Sequence, residues 1–220
     1  MGAQQQLLKS PTYDIATRAV GVGQPVLYRL FGDKQGLLDA LADQGLERYA
    51  RRKGELKTTE DPVADLRAGW DDHLLFAEEN PGLYQLMFSP RPWSKSTTRA
   101  TVTDLLVHTL TRCAAAGALT VEPLSAAAMI LPANVGLALS NIAAPTAFTD
   151  VAIISQQLRD ALFAAVLAAP PTPQHADAAG IVASALQLRA QLSLTGTTTS
   201  LDPAELFLLD RWLERLMQNN

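Results

Sequence analysis

Apolar residues recur three and four positions apart along most of the chain, whereas strict alternation of apolar and polar residues is rare. This spacing, interrupted by Gly and Pro, predicts an all-α fold. The predicted helices cover about residues 10–20, 24–31, 34–53, 62–80, 81–88, 97–116, 123–144, 151–168, 178–192 and 203–217. Asp33, Asp61, Thr149 and Asp202 stand at expected N-caps, and Gly117 stands at an expected C-cap.

The first two predicted helices flank a short turn, Gly21-Val22-Gly23, and this arrangement is typical of a helix-turn-helix. The second helix would then lie in a major groove, with Leu27, Leu30 and Phe31 facing the protein. The residues expected to meet DNA are Gln24, Pro25, Val26, Tyr28 and Arg29, then Lys34, and Ser10 and Thr12 at the start of the first helix. A plain helical hairpin within a bundle would show the same pattern.

The net charge of -4 is unevenly distributed. Residues 1–53 carry eight Lys and Arg against five Asp and Glu, whereas residues 54–220 carry ten against seventeen. A cationic first part on an acidic remainder suggests that only the first part meets a polyanion. An ordinary solvated surface explains the same imbalance.

Other classes of protein lack support in the sequence. A single cysteine, Cys113, forms no internal disulfide and is expected to be a small buried residue. The three histidines have no metal-ligand spacing, and no Gly-rich loop follows a strand, so neither a metal, a cofactor nor an enzyme is expected. The acid pairs Asp71-Asp72 and Glu78-Glu79 are interpreted as solvated charge. With no signal peptide and no long uninterrupted apolar run, the expected location is the cytoplasm.

The segment IATRAVGVGQPVLYRLFGDKQGLLDAL resembles the DNA-binding head of the TetR family of transcriptional repressors. The residues that carry the resemblance are Ile15, Ala16, Ala19, Gly21, Val22, Leu27, Tyr28, Phe31, Lys34 and Leu37. The resemblance implies a homodimeric repressor that binds a palindromic double-stranded DNA operator and is released by a small-molecule inducer. It divides the chain into a DNA-binding domain, residues 1–53, and a ligand-binding and dimerisation domain, residues 54–220. In the family, Tyr28 and Lys34 correspond to phosphate contacts.

Several positions depart from the family pattern. Gly23 stands where Ser or Thr is common, Leu30 where His is frequent, and Val20 where Ala is usual. Only about eight residues precede Ser10, where the family has a complete first helix, so Leu41 and other inward residues are expected to be partly exposed. The alternative function is therefore a helical small-molecule-binding dimer whose head no longer binds DNA.

The resemblance also implies a ligand pocket among the later helices. The candidate ligand-binding residues are Trp70, His73, Phe76, Tyr84, Met87, Phe88, His108, Asn134 and Asn141. Apolar walls with few polar groups suit a hydrophobic or amphipathic ligand, but the same residues suit a core. The apolar helices over residues 123–144 and 151–168 are expected to form a four-helix bundle between two subunits. Alternatively, the last two helices cover those faces within one chain.

Overall fold

The computed structural model describes residues 24–89, 98–145, 150–168, 178–195 and 201–218. These residues form α1 (Gln24–Phe31), α2 (Lys34–Glu55), α3 (Pro62–Glu79), α4 (Pro81–Phe88), α5 (Thr98–Ala115), α6 (Pro123–Ala143), α7 (Val151–Val166), α8 (Ala178–Thr195) and α9 (Pro203–Gln218). The described part of the chain contains no strand longer than a single bridge, which confirms the predicted all-α class. The predicted first helix and the Gly21-Val22-Gly23 turn lie outside the described residues.

Side-chain caps fix the start of several helices, as predicted. Asp33 Oδ1 accepts the Gly36 amide at 2.8 Å, and Asp61 Oδ1 accepts two amides at the start of α3, both at 3.0 Å. Asp202 and Glu205 form a reciprocal capping box, with Glu205 Oε2 accepting the Asp202 amide at 2.8 Å. These contacts are local, so the sequence alone specifies them.

The start of α7 differs from the prediction. Asp150, rather than Thr149, is its N-cap, and its side chain accepts the Ile153 amide at 3.1 Å. Asp and Thr are both good caps, so the sequence does not distinguish between neighbours. At the end of α5, Gly117 has a φ of 73° and closes a Schellman motif, in which the Ala118 amide donates to the Cys113 carbonyl at 2.9 Å.

Helix α6 lies at the centre of the fold and packs against α3, α4, α5 and α7. By length and hydropathy alone, α6 could cross a membrane. However, 44% of its 18-residue apolar stretch is buried inside the protein, as in many core helices. Pro132 lies inside α6 and is exposed. The largest fully buried side chains around it are Phe76, Tyr84, Phe88, Leu110 and Phe163. One chain therefore buries part of the apolar surface of α6, and leaves Leu124 and Met129 exposed.

Helix α1 packs against α2, and α2 in turn packs against α4 and α5. The expected domain boundary after residue 53 falls inside α2, which continues to Glu55. Arg29 on α1 is exposed, as expected, but Leu30 is 65% exposed although the sequence predicts it to face inward. Leu41, expected to be partly exposed, is half-buried.

The C-terminal helices extend the bundle on one side. α8 packs against α5, and α9 packs against α8. Arg189 on α8 forms one ion pair with Asp210 on α9 and another with Glu122 at the start of α6, both at 2.7 Å. After the ends of α5 and α7, the backbone forms an antiparallel bridge, in which the Thr120 amide donates to the Val166 carbonyl at 2.9 Å.

Because α8 packs against α5, and α9 packs against α8, the last two helices do not cover α6 and α7. This differs from the alternative considered from the sequence.

Candidate ligand-binding cavity

A cavity of about 610 Å³ lies between α2, α3, α5 and α6, closed on one side by the segment before α3. Its apolar walls include Leu66, Trp70, Val102, Leu106, Ile130 and Leu131. This volume lies within the range of pockets that hold small organic molecules. The arrangement suits a ligand that is mostly apolar.

Four of the nine predicted ligand residues line this cavity: Trp70, His73, His108 and Asn134. The other five are not among its walls: Phe76, Tyr84, Met87, Phe88 and Asn141. The first four of these are buried in the core, and Phe88 borders a second, smaller cavity of about 180 Å³. For these four residues, the spacing of large apolar side chains along α3 and α4 indicates core positions rather than cavity walls.

His73 is held between two tyrosines from different helices. Its Nδ1 lies 2.9 Å from Tyr49 Oη on α2, and its Nε2 lies 2.6 Å from Tyr84 Oη on α4. Burial, and to a lesser extent the charge of Lys53, lower the pKa of His73 to about 3, and the opposing charge of Asp72 offsets them only in part. The imidazole is neutral, and burial likewise raises the pKa of Tyr49. The three side chains form a neutral link between α2, α3 and α4.

Asp72 is a buried charge rather than the solvated charge that the sequence suggested, because its side chain is only 9% exposed. Lys53 Nζ lies 2.7 Å from Asp72 Oδ2, and Arg52 also pairs with Asp72 and with Glu79. Burial alone would raise the pKa of Asp72, but hydrogen bonds from Lys53 and Arg52 lower it below its usual value. Asp71, its neighbour, is 60% exposed and pairs with Arg159.

A second ion pair stands at the other side of the cavity. Arg112 on α5 donates to Asp65 Oδ2 at 2.7 Å and to the Thr59 carbonyl at 2.6 Å. Burial opposes ionisation of Asp65, but hydrogen bonds from Arg112 and Thr59 hold its pKa below the usual value. Lys53 and Arg112, which both line the cavity, are thus each paired with an acid of α3.

Asn134 contributes a polar group from the centre of α6. Its Nδ2 donates to the Trp70 carbonyl at 3.2 Å, and the residue is 4% exposed. Its Oδ1 is buried without a hydrogen-bond partner. A buried acceptor left in this way is costly, and it marks a position where a donor is favoured.

Sequence reasoning missed Tyr49, Lys53 and Arg112 as cavity residues. Tyr49 is buried on α2, but nothing in its spacing along the helix distinguishes a core position from a cavity wall. Lys53 and Arg112 are ordinary cations in sequence, and only the approach of α3 gives them acidic partners. Cys113 is fully buried, as predicted, and its burial raises the pKa of the thiol to about 12.

The predicted DNA-contacting residues are only partly described. Val26 and Lys34 are half-buried and Arg29 is exposed. Gln24, Pro25 and Tyr28 belong to α1, but their side chains, like all of Ser10 and Thr12, lie outside the described residues. Within the described ranges, no cluster of three or more His, Cys, Asp or Glu could hold a metal ion.

Three comparisons bear on the chain as a whole. Neither protein-family models, nor curated proteins, nor solved structures gave a match to this chain. The assignment of a function therefore depends on the residues and the geometry described above.

Proposed function

We propose that this protein is a ligand-responsive transcriptional regulator of the TetR type. It acts as a cytoplasmic homodimer that binds a palindromic double-stranded DNA operator, most simply as a repressor, and it carries no catalytic site. A small hydrophobic or amphipathic inducer occupies the cavity and releases the DNA.

The observation that carries this proposal is the position of α2. Tyr49 and Lys53 on α2 line the cavity, while the first part of the same helix supports α1, the proposed DNA-reading helix. A ligand that displaces α2 therefore also changes the position of α1. Coupling between two sites requires such a shared element with more than one arrangement.

The exposed surface of α9 supports the homodimer. Leu208, Trp212 and Leu216 follow each other at four-residue spacing and are 47%, 54% and 48% exposed. We call these three residues the α9 stripe. Large apolar side chains aligned along one helix are typical of a subunit interface. A second copy related by two-fold symmetry would bury the stripe against itself and would place two heads side by side.

The second candidate is a helical small-molecule-binding dimer whose head does not bind DNA. Two observations favour it. Leu30 presents an exposed apolar side chain on α1, and three cations of α2 are used within the chain. Arg52 and Lys53 pair with Asp72, and Arg48 donates to Asn80 Oδ1 at 2.9 Å. These contacts leave fewer cations for a phosphate backbone.

A salt titration separates the two candidates. The full chain would be titrated into labelled duplex DNA from immediately upstream of its own gene, and into scrambled DNA of equal length, while anisotropy is recorded. The regulator predicts affinity of roughly nanomolar strength for the upstream DNA, falling steeply with salt. Weak binding that is equal for both duplexes would support the second candidate.

Substitutions on α1 and α2 sharpen this test. Arg29→Ala should relax the preference for one base position by about 1–3 kcal/mol, whereas Lys34→Ala should weaken all sequences alike. Arg211→Ala, a control at an exposed cation on α9, should leave DNA binding unchanged. Identical behaviour of Arg29→Ala and Lys34→Ala would contradict the assigned roles.

A further inference from the structure

We propose that the cavity binds an amphipathic monoanion, an apolar molecule that carries one carboxylate, and that Lys57 at the rim supplies the counter-charge. This inference rests on the proposed ligand-responsive function and specifies the chemistry of the ligand.

Burial divides the lining of the cavity into an apolar floor and a polar rim. The floor consists mainly of buried apolar side chains, which include Leu66, Trp70, Val102 and Ile130. The exposed polar residues of the lining are Lys57, Thr58, Thr59 and His108. A molecule in the cavity therefore places its apolar body against the floor and a polar head at the rim.

Two segments of the chain meet at the rim. Arg112 Nη2 donates to the Thr59 carbonyl at 2.6 Å, which holds the segment before α3 against α5. Lys57 lies two residues before Thr59, and His108 lies one turn before Arg112 on α5. This contact places Lys57 and His108 at the same end of the cavity.

The charge of the rim is positive. Lys57 has no acidic partner within the described part of the chain, and its sequence neighbours Glu55 and Glu60 are exposed and are not cavity walls. Among the described residues that line the cavity, Asp65 is the only acid, and Arg112 already donates to it at 2.7 Å. An entering molecule therefore meets an uncompensated cation and no uncompensated acid.

Polar side chains at the same end can bind a carboxylate head. Thr58, His108 and Thr109 line the cavity, and no hydrogen-bond partner of these side chains lies among the described residues. A hydroxyl or an imidazole N–H group donates to a carboxylate oxygen, and such bonds to an ionised acceptor are stronger than bonds to a neutral one. A carboxylate at an exposed rim also keeps part of its hydration, so it avoids the cost of full burial. The rim thus favours an anion over a neutral or cationic molecule with the same apolar body.

Isothermal titration calorimetry with matched probes tests the inference on the full chain at neutral pH. Biphenyl-4-carboxylate is compared with biphenyl-4-carboxamide, octanoate with octanamide, and 4-phenylbenzylamine provides a cation of similar size. We expect each carboxylate to bind about fivefold more tightly than its amide at low salt. This preference should fall below about twofold at high salt, because salt screens an exposed ion pair.

A salt-sensitive preference in either pair supports the inference. Equal affinities within both pairs overturn it, as do a preference that high salt leaves intact, tighter binding of the amine than of the carboxylates, and absence of binding by all the probes.

Two variants at exposed cations provide the matched comparison. Lys57→Gln should reduce the preference for the carboxylates to less than about twofold and leave the affinities of the amides unchanged. Arg51→Gln alters a cation of α2 that is not a cavity wall and should leave the preference at about fivefold. An undiminished preference in Lys57→Gln would overturn the assignment of the counter-charge. A thermal melt of each variant checks folding, and the wild-type comparison remains decisive if Lys57→Gln does not fold.

The outcomes also separate this inference from the proposed function. A carboxylate preference without any effect of the probes on DNA binding would contradict the proposed regulator alone. Equal affinities alongside sequence-specific DNA binding would contradict this inference alone.

Discussion

At the scale of single residues, His73 is the clearest case of a side chain whose environment determines its chemistry. Its two ring nitrogens are both hydrogen-bonded to tyrosine hydroxyls, so one must donate and the other accept. An imidazolium could donate to both, but it would be a charge buried in the core, repelled by Lys53 and only partly offset by Asp72. Neutral His73 is therefore a structural requirement of the contact between α2, α3 and α4.

This requirement predicts a pH-dependent stability. The folded state keeps His73 neutral down to about pH 3, whereas the unfolded chain takes up this proton near pH 6.5. Between about pH 3 and pH 6.5 the unfolded state therefore binds more protons than the folded state. The contribution of His73 to the free energy of unfolding is complete above pH 6.5 and is lost as the pH falls through this range. We expect urea unfolding to show a loss of about 1.4 kcal/mol per pH unit between pH 6 and 5, above the range where carboxyls titrate.

Two glutamine variants isolate the effect of His73. His73→Gln can still donate and accept but does not titrate, so it should remove about one proton from the pH dependence. His108→Gln, at an exposed position, should retain the wild-type slope. An unchanged slope in His73→Gln would show that another group takes up the proton.

At the scale of elements, ion pairs join α2 to α3 beside the cavity. Asp72 forms ion pairs with both Lys53 and Arg52, and Arg52 also pairs with Glu79 at the end of α3. Removing the acid would leave a half-buried ammonium group facing apolar side chains, which costs more than an exposed pair contributes. The adjacent Asp71 provides a natural comparison on the solvent side of the same helix.

Asp72→Asn should lower the free energy of unfolding by about 2–3 kcal/mol, because it leaves Lys53 without its counter-ion. Asp71→Asn should change it by less than about 0.5 kcal/mol, because that acid is mostly exposed. Denaturant melts of both variants at pH 7 measure the difference. Equal effects of the two substitutions would mean that the buried pair contributes no more than a surface pair.

Much of the helical framework could be predicted because its signals are local. The bounds of α1 and α4 match the prediction residue for residue, since Pro residues and caps act within one turn. The burial of Asp72 could not be predicted, because it depends on how Arg52 and Lys53 approach it from α2. The cavity was predicted only in part for the same reason: Tyr49 reaches it through the packing of α2 against α4 and α5, and Arg112 through the packing of α5 against α3.

At the scale of the whole molecule, the remaining apolar surface concentrates on the last two helices. The inward side of α9 includes Leu213, which is buried, and Met217, which reaches the core. The α9 stripe lies beside this inward side and stays exposed, so one chain does not cover it. The proposed subunit interface consequently lies on α8 and α9 rather than on α6 and α7.

The double variant Leu208→Glu and Trp212→Glu should convert the proposed dimer into a monomer, because it buries two carboxylates at a self-complementary surface. Light scattering after gel filtration should give twice the chain mass of 23.6 kDa for the wild type and one chain mass for the variant. Leu124→Glu alters an exposed leucine on α6, and this variant should remain dimeric. Dissociation by Leu124→Glu alone would place the interface on α6.

The backbone bridge between Leu119 and Leu167 has a consequence for the order of assembly. The bridge joins the loop before α6 to the segment that follows α7. We expect these two backbone segments to meet only after α6 and α7 have packed against each other. Contacts between distant positions form late because closing a long loop costs entropy first. We therefore expect the bridge to form after the transition state of folding, so that weakening it would speed unfolding and leave the rate of refolding nearly unaltered.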